Sequence, residues 1–148
     1  MRLLVINGPN LNLLGKREPE HYGNASYRAL LDTIRSCAAA AGVRVRTVQT
    51  NHEGRIVDII QKAPKQYDGI VINPAAYTHT SIAIYDALKA VGLAAVEVHL
   101  SDIQSREAFR RHSYISPACL ATIAGKGFAG YREAIDMLVE HLRSKPPR

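Results

Sequence analysis

Short apolar runs that each end in a polar cluster constrain this chain more than any other feature. Leu3-Leu4-Val5-Ile6 leads into Asn7-Gly8-Pro9-Asn10, and Gly69-Ile70-Val71-Ile72 leads into Asn73-Pro74-Ala75-Ala76-Tyr77-Thr78-His79. Leu93-Ala94-Ala95-Val96 leads into Glu97-Val98-His99-Leu100-Ser101. Runs without polar alternation read as central strands of a parallel sheet, covered by helices on both faces. Burying Asn, Glu or His in such a strand is costly without partners. At the carboxyl edge of an open α/β sheet the same residues become useful, because ligands bind there. Asn, His and Glu at these strand ends predict one active site.

Strand and helix patterns alternate along the rest of the chain. Strands are expected at residues 3–7, 43–49, 69–73, 94–100 and 120–124. A first helix presents Tyr27, Leu30, Leu31, Ile34, Ala38 and Ala41 on one face and closes at Gly42. A second carries the stripe Ile56, Ile59, Ile60, Ala63 and stops at Pro64. The third begins at Thr80-Ser81, whose hydroxyls suit an N-cap, and ends at Gly92. A short helical piece is expected over 106–111, and a last helix carries Tyr131, Ile135, Leu138 and Leu142. Five βα units with short, right-handed connections imply strand order 2-1-3-4-5, a flavodoxin-like three-layer α/β sandwich. Its switch point lies between strands one and three, so the polar strand ends converge on one crevice. Residues 1–148 are expected to form a single catalytic domain, with 8–24 as a lid loop and 144–148 as a frayed tail.

Composition narrows the function classes. No apolar stretch approaches the roughly 18 residues needed to cross a bilayer. Met1-Arg2-Leu3 enters a strand at once, without the shape of a signal peptide, so a cytoplasmic protein without a membrane partner is expected. Cys37 and Cys119, in an expected helix and strand and without CxxC spacing, read as small buried hydrophobes. The net charge of +6 invites a nucleic-acid reading, but aromatic content is 6%, Trp is absent, and no RNP-like or helix-turn-helix signature appears. Arg106, Arg110 and Arg111 instead follow the fourth strand end, where they suit a small anionic substrate.

The segment after strand one is too long for a tight βα turn, and it contains Arg17-Glu18-Pro19-Glu20-His21-Tyr22-Gly23. A loop tyrosine is ordinarily a surface amphiphile. Arg17 in the same segment favours a functional reading of Tyr22, because a guanidinium stabilises phenolate. Glu97 and His99 sit two apart and face one side of strand four, where a carboxylate can orient an imidazole for acid or base work. A purely structural Glu–His pair is the plainer reading of the same spacing. His79 either contacts a ligand or caps the third helix, and Asp86 on that helix reads by itself as solvated. A metal site built from His79, Glu97 and His99 lacks zincin or two-His-one-carboxylate spacing. Residues 7–15 lack a Walker ending, and Asn7 and Asn73 stand where a response regulator needs carboxylates.

Taken together, the stretches starting at Asn7, Tyr22-Gly23, the Asn73–Ser81 segment, Glu97-Val98-His99-Leu100-Ser101 and the Arg106–Pro117 segment resemble type II 3-dehydroquinate dehydratases, over nearly the whole chain and in order. The resemblance implies reversible, cofactor-free dehydration of 3-dehydroquinate to 3-dehydroshikimate by anti elimination through an enolate. It assigns proton abstraction to Tyr22, assisted by Arg17, and enolate stabilisation to Asn10 through an ordered water. His99 protonates the departing hydroxyl with Glu97 as its partner. Asn73, His79 and Arg110 hold substrate hydroxyls, backbone amides around Leu100 and Ser101 take the carboxylate, and Arg106 belongs to the tyrosine's network. Asp86 reaches a neighbouring subunit's site in a homo-dodecamer of four trimers.

The chain departs from that pattern at Ala75, where a glycine is common, at Asp102 and Gln104, and at Ala121 and Lys126. Two rivals stand beside the dehydratase. Imine chemistry would need Lys16 or Lys126 as nucleophile, and a non-catalytic flavodoxin-like module would bind a nucleotide or flavin. The same reaction serves aromatic biosynthesis through the shikimate pathway and quinate breakdown, and both remain open at this point.

Overall fold

The computed structural model describes residues 1–16, 20 and 24–146. Its sheet is formed by β1 (Arg2–Asn7), β2 (Arg44–Gln49), β3 (Gly69–Asn73), β4 (Ala94–His99) and β5 (Ala121–Ala124). All neighbours pair in parallel, in the order β2-β1-β3-β4-β5 expected from the alternation of elements. The α-helices of the described residues are α1 (Tyr27–Ala40), α2 (Glu53–Lys62), α3 (Ile82–Val91) and α4 (Ala129–Ser144).

The period-two alternation of the strands divides the core into two layers. Leu3 and Val5 of β1 pack with Leu30, Ile34, Leu138 and other residues of α1 and α4. Leu4 and Ile6 of the same strand pack with Ile56, Ile60, Ile84 and Leu88 of α2 and α3. Each central strand therefore buries both faces, which is why β1 and β3 read as unbroken apolar runs. The third helix begins as the hydroxyls predicted, with the Ser81 side chain accepting from the Ile84 amide at 3.0 Å. Gly92 ends it at φ 65, the left-handed conformation that glycine adopts without a Cβ penalty.

Three local expectations need correction. Residues 106–111 do not form one helical piece. Two 3₁₀ turns, Ile103–Ser105 and Ala108–Arg110, flank an extended Arg106. The Asp102 carboxylate starts the first turn by accepting from the Gln104 amide at 3.0 Å. Cys119 lies outside β5, which begins two residues later. Burial and the nearby Glu97 charge push its thiol up to about 12, consistent with an inert side chain. β4 ends at His99 rather than at residue 100.

Candidate active site

The crevice at the carboxyl edge is built first by backbone. Asn7 and Asn73 are register partners, so β1 and β3 end at one level. The Gly8 amide donates to the Asn73 carbonyl at 2.8 Å, drawing the two chain turns together. A Cβ on Gly8 would lie 2.6 Å from the Pro74 carbonyl oxygen, so this approach requires glycine. Asn10 then turns at φ 68, left-handed space that Asn enters more readily than most side chains. Its amide donates to Asn51 Oδ1 at 3.1 Å, and Gln49 Nε2 at the end of β2 donates to the Gly8 carbonyl at 3.2 Å. On the facing wall Ala75 sits at φ 51 with its amide donating to Asn73 Oδ1 at 3.1 Å. A side chain in that conformation costs roughly 1–2 kcal/mol. The backbone does accept an alanine there.

These turns enclose a cleft of about 730 Å³, counting its open mouth. Asn10, Asn73 and His79 line it from the turns after β1 and β3. His99, Leu100, Ser101, Arg106 and Arg110 line it from β4 and the loop beyond. Sequence-predicted residues of both groups thus meet in one place. Asp86 is exposed on α3 and does not line this cleft. Tyr22 and Arg17, the predicted base and its helper, lie outside the described residues.

The floor carries a buried carboxylate–imidazole pair. Glu97 is fully buried, and its Oε1 lies 2.6 Å from His99 Nε2. Three hydroxyls complete the carboxylate's partners. Thr78 Oγ1 makes a short bond to Oε1, Ser113 Oγ donates at 2.9 Å to Oε1, and Thr122 Oγ1 donates at 3.0 Å to Oε2. The amides of Ile115 and Ser116 donate to Ser113 Oγ and aim its proton at Glu97. Burial pushes the Glu97 carboxyl up, but the bonds and charge of His99 and the hydroxyls of Thr78 and Ser113 outweigh it and hold the group below its ordinary value.

The stability effect of that shift has a definite sign. A depressed carboxyl contributes stability that is complete above its unfolded value of about 4.3 and is lost as pH falls through the folded value. Urea midpoints of the wild type should therefore fall on acidification below about pH 4.3, more steeply than those of Glu97→Gln. Parallel curves for the two proteins would contradict the assignment of the charge to Glu97.

His79 stacks near His99, with ring centroids 6.5 Å apart. Its Nδ1 lies 2.8 Å from the His112 carbonyl, which can only accept, so Nδ1 carries the proton and Nε2 keeps a lone pair. Burial is the main cause that holds His79 below the usual histidine value, with His99 and Arg110 adding to it, so the ring is neutral near pH 7. Arg106 is buried, Arg110 half-buried, and Glu107 Oε2 lies 3.0 Å from Arg110 Nε. Two guanidiniums and a neutral imidazole lining one cleft suit an anion bearing hydroxyls.

Sequence reasoning missed the hydroxyl cage. Thr78 and Ser113 lie inside segments already singled out, but nothing in their spacing points at Glu97. Thr122 lies 25 residues from it and meets it only because β4 and β5 pair Glu97 with Thr122.

Fold and site together define a doubly wound α/β protein whose switch point opens on a polar, arginine-lined cleft. The family model for dehydroquinase class II matches residues 1–139. A 3-dehydroquinate dehydratase of Clostridium perfringens is 51% identical over 98% of this chain and 100% of its own length. A protein of Neosartorya fischeri named catabolic 3-dehydroquinase 2 is 49% identical over 96% of this chain and 95% of its own length. The crystal structure of a type II dehydroquinase from Butyrivibrio crossotus superposes with a TM-score of 0.91 at 50% identity, covering 93% of this chain and 97% of that one. The chain belongs to the class II dehydroquinase family, and it is an enzyme.

Proposed function

We propose that the enzyme dehydrates 3-dehydroquinate reversibly to 3-dehydroshikimate, by anti elimination through an enolate. The Tyr22 phenolate, stabilised by Arg17, takes a proton from C2. The electron pair moves onto the ketone oxygen, where Asn10 steadies the enolate through an ordered water. His99 gives its proton to the C1 hydroxyl, the carbon–oxygen bond breaks, and water leaves as the enolate collapses to a conjugated enone. The protonated tyrosine and the neutral histidine exchange their proton with solvent before the next turnover. No cofactor enters this balance.

Glu97 supports the imidazolium from below. Asn73, His79 and Arg110 hold the substrate's hydroxyls, amides around Leu100 and Ser101 take its carboxylate, and Arg106 belongs to the network of the tyrosine. The observation that carries the reading is the buried Glu97–His99 pair opening on an arginine-lined cleft in a chain of this family. A ketone's α-proton is weakly acidic, so the reaction needs a tuned base and fixed donors where enolate charge develops.

The finer reading places twelve copies together, with Asp86 entering a neighbour's cleft, in the cytoplasm. Among the described residues no helix is long and apolar enough to cross a membrane, which is compatible with that location. Size measurement should return about twelve times the 16.2 kDa chain, and a monomer would remove the role of Asp86. The shikimate pathway is the favoured setting, while the catabolic name of one relative keeps quinate breakdown as the second reading. The deciding assay follows the absorbance of the conjugated product with 3-dehydroquinate. Silence at high enzyme concentration would overturn the proposal, as would a borohydride-trapped adduct with substrate, which would favour imine chemistry on Lys16 or Lys126.

A further inference from the structure

One hydrogen-bonded group beneath the cleft has no part in the elimination just described. Tyr131 of α4 is fully buried, and its hydroxyl sits between the two asparagines that end β1 and β3. It donates to Asn7 Oδ1 at 2.7 Å and accepts from Asn73 Nδ2 at 3.0 Å. We propose that Tyr131 is a positioning residue, whose hydroxyl fixes which way the Asn73 carboxamide faces the substrate. The proposal rests on the reading that Asn73 holds a substrate hydroxyl.

Proton counting carries the argument. A phenol has one proton and can accept with its oxygen lone pairs. Burial pushes this phenol above its ordinary value, so the proton stays on the oxygen. That proton is committed to Asn7 Oδ1, and the Asn7 amide group points the other way, toward the Tyr27 hydroxyl at 3.4 Å. Tyr131 therefore offers Asn73 only a lone pair, which demands the NH₂ side of the carboxamide. On its other side, Asn73 meets the Ala75 amide, a donor that demands Oδ1. Flipping Asn73 would set donor against donor at Ala75 and acceptor against a committed hydroxyl at Tyr131. One Nδ2 proton and one Oδ1 lone pair remain for the cleft that Asn73 lines.

The apolar ring of Tyr131 fills the core with Ile135 and Leu138, a task that phenylalanine could do. Its hydroxyl thus acts in orientation, not in packing. A buried hydroxyl without partners would be costly, and both of its partners here are strand-end asparagines.

The test is a double-mutant cycle on the full enzyme with 3-dehydroquinate, using Tyr131→Phe, Asn73→Ala and the pair together, read as kcat/KM well below each Tm. Asn73→Ala should lower kcat/KM. Tyr131→Phe should lower it about three- to tenfold, the worth of one oriented hydrogen bond. In the Asn73→Ala background, Tyr131→Phe should have no further effect. An equal loss in both backgrounds would reduce Tyr131 to packing, and full activity of Tyr131→Phe alone would overturn the proposal outright. If Asn73→Ala itself is fully active, the substrate role of Asn73 fails first, and the proposal fails with it. Should Tyr131→Phe not fold, Asn7→Leu asks the same question by releasing the phenol's proton. Loss of kcat/KM that depends on Asn73 supports the proposal, and no loss sinks it.

Discussion

Replacing His99 by alanine should lower kcat with 3-dehydroquinate by about 10²- to 10⁴-fold, the ordinary range for removing a positioned general acid. His99 lines the cleft and touches the carboxylate of Glu97 at 2.6 Å, and the reading makes it the group that protonates the departing hydroxyl. KM should change little, because the same reading gives substrate binding to Asn73, Arg110 and the amides near Ser101. The protein should still fold, since Thr78, Ser113 and Thr122 continue to donate to Glu97. Steady-state kinetics with a melting control checks both parts. A variant that keeps a tenth of the activity would remove His99 from the acid role. Tyr22→Phe should be as damaging from the opposite face, whereas Lys126→Ala, which breaks only an exposed contact with Glu133, should be active.

Gly8→Ala should be the most disruptive single methyl in the molecule's active end. The added carbon would stand 2.6 Å from the Pro74 carbonyl oxygen and 2.7 Å from its carbon, both backbone atoms that no rotamer change can move. Overpacking of this kind costs about 1–3 kcal/mol and sometimes more. The relief would separate the turns after β1 and β3, displacing Asn10 from Asn73 across the cleft. A fall of several degrees in Tm together with a large loss of kcat/KM is expected. Gly54, with nothing within 4 Å of its Cβ position, provides the control substitution to alanine. Equal behaviour of the two variants would show that the close approach does not matter.

The fold was legible in local periodicity and strand composition, while the roles of single residues came from the family resemblance. The runs at Leu3, Ile70 and Leu93 have no polar alternation because β1, β3 and β4 are covered on both faces, and this is visible without coordinates. The convergence of Asn73, His79, Glu97 and His99 followed from the strand order alone. Contacts set by register were invisible. Thr122 reaches Glu97 because two strands pair at that level, and no spacing rule connects residues 97 and 122. Tyr131 matched the apolar stripe of the last helix, so its hydroxyl looked like a passenger. The irregular path over residues 103–110 escaped for a related reason. Its first turn is started by the Asp102 carboxylate accepting from the Gln104 amide, and neither turn is built on a repeating apolar face.

The partners of Glu97 come from four separate stretches of chain: β4 itself, the turn after β3, the loop at Ser113 and the edge strand β5. No single fragment supplies all of these partners. The set is complete only when β5 has paired with β4, and on the proposed reading full turnover then reports finished assembly. A lesion at that sheet border would leave helical circular dichroism nearly intact while silencing the chemistry.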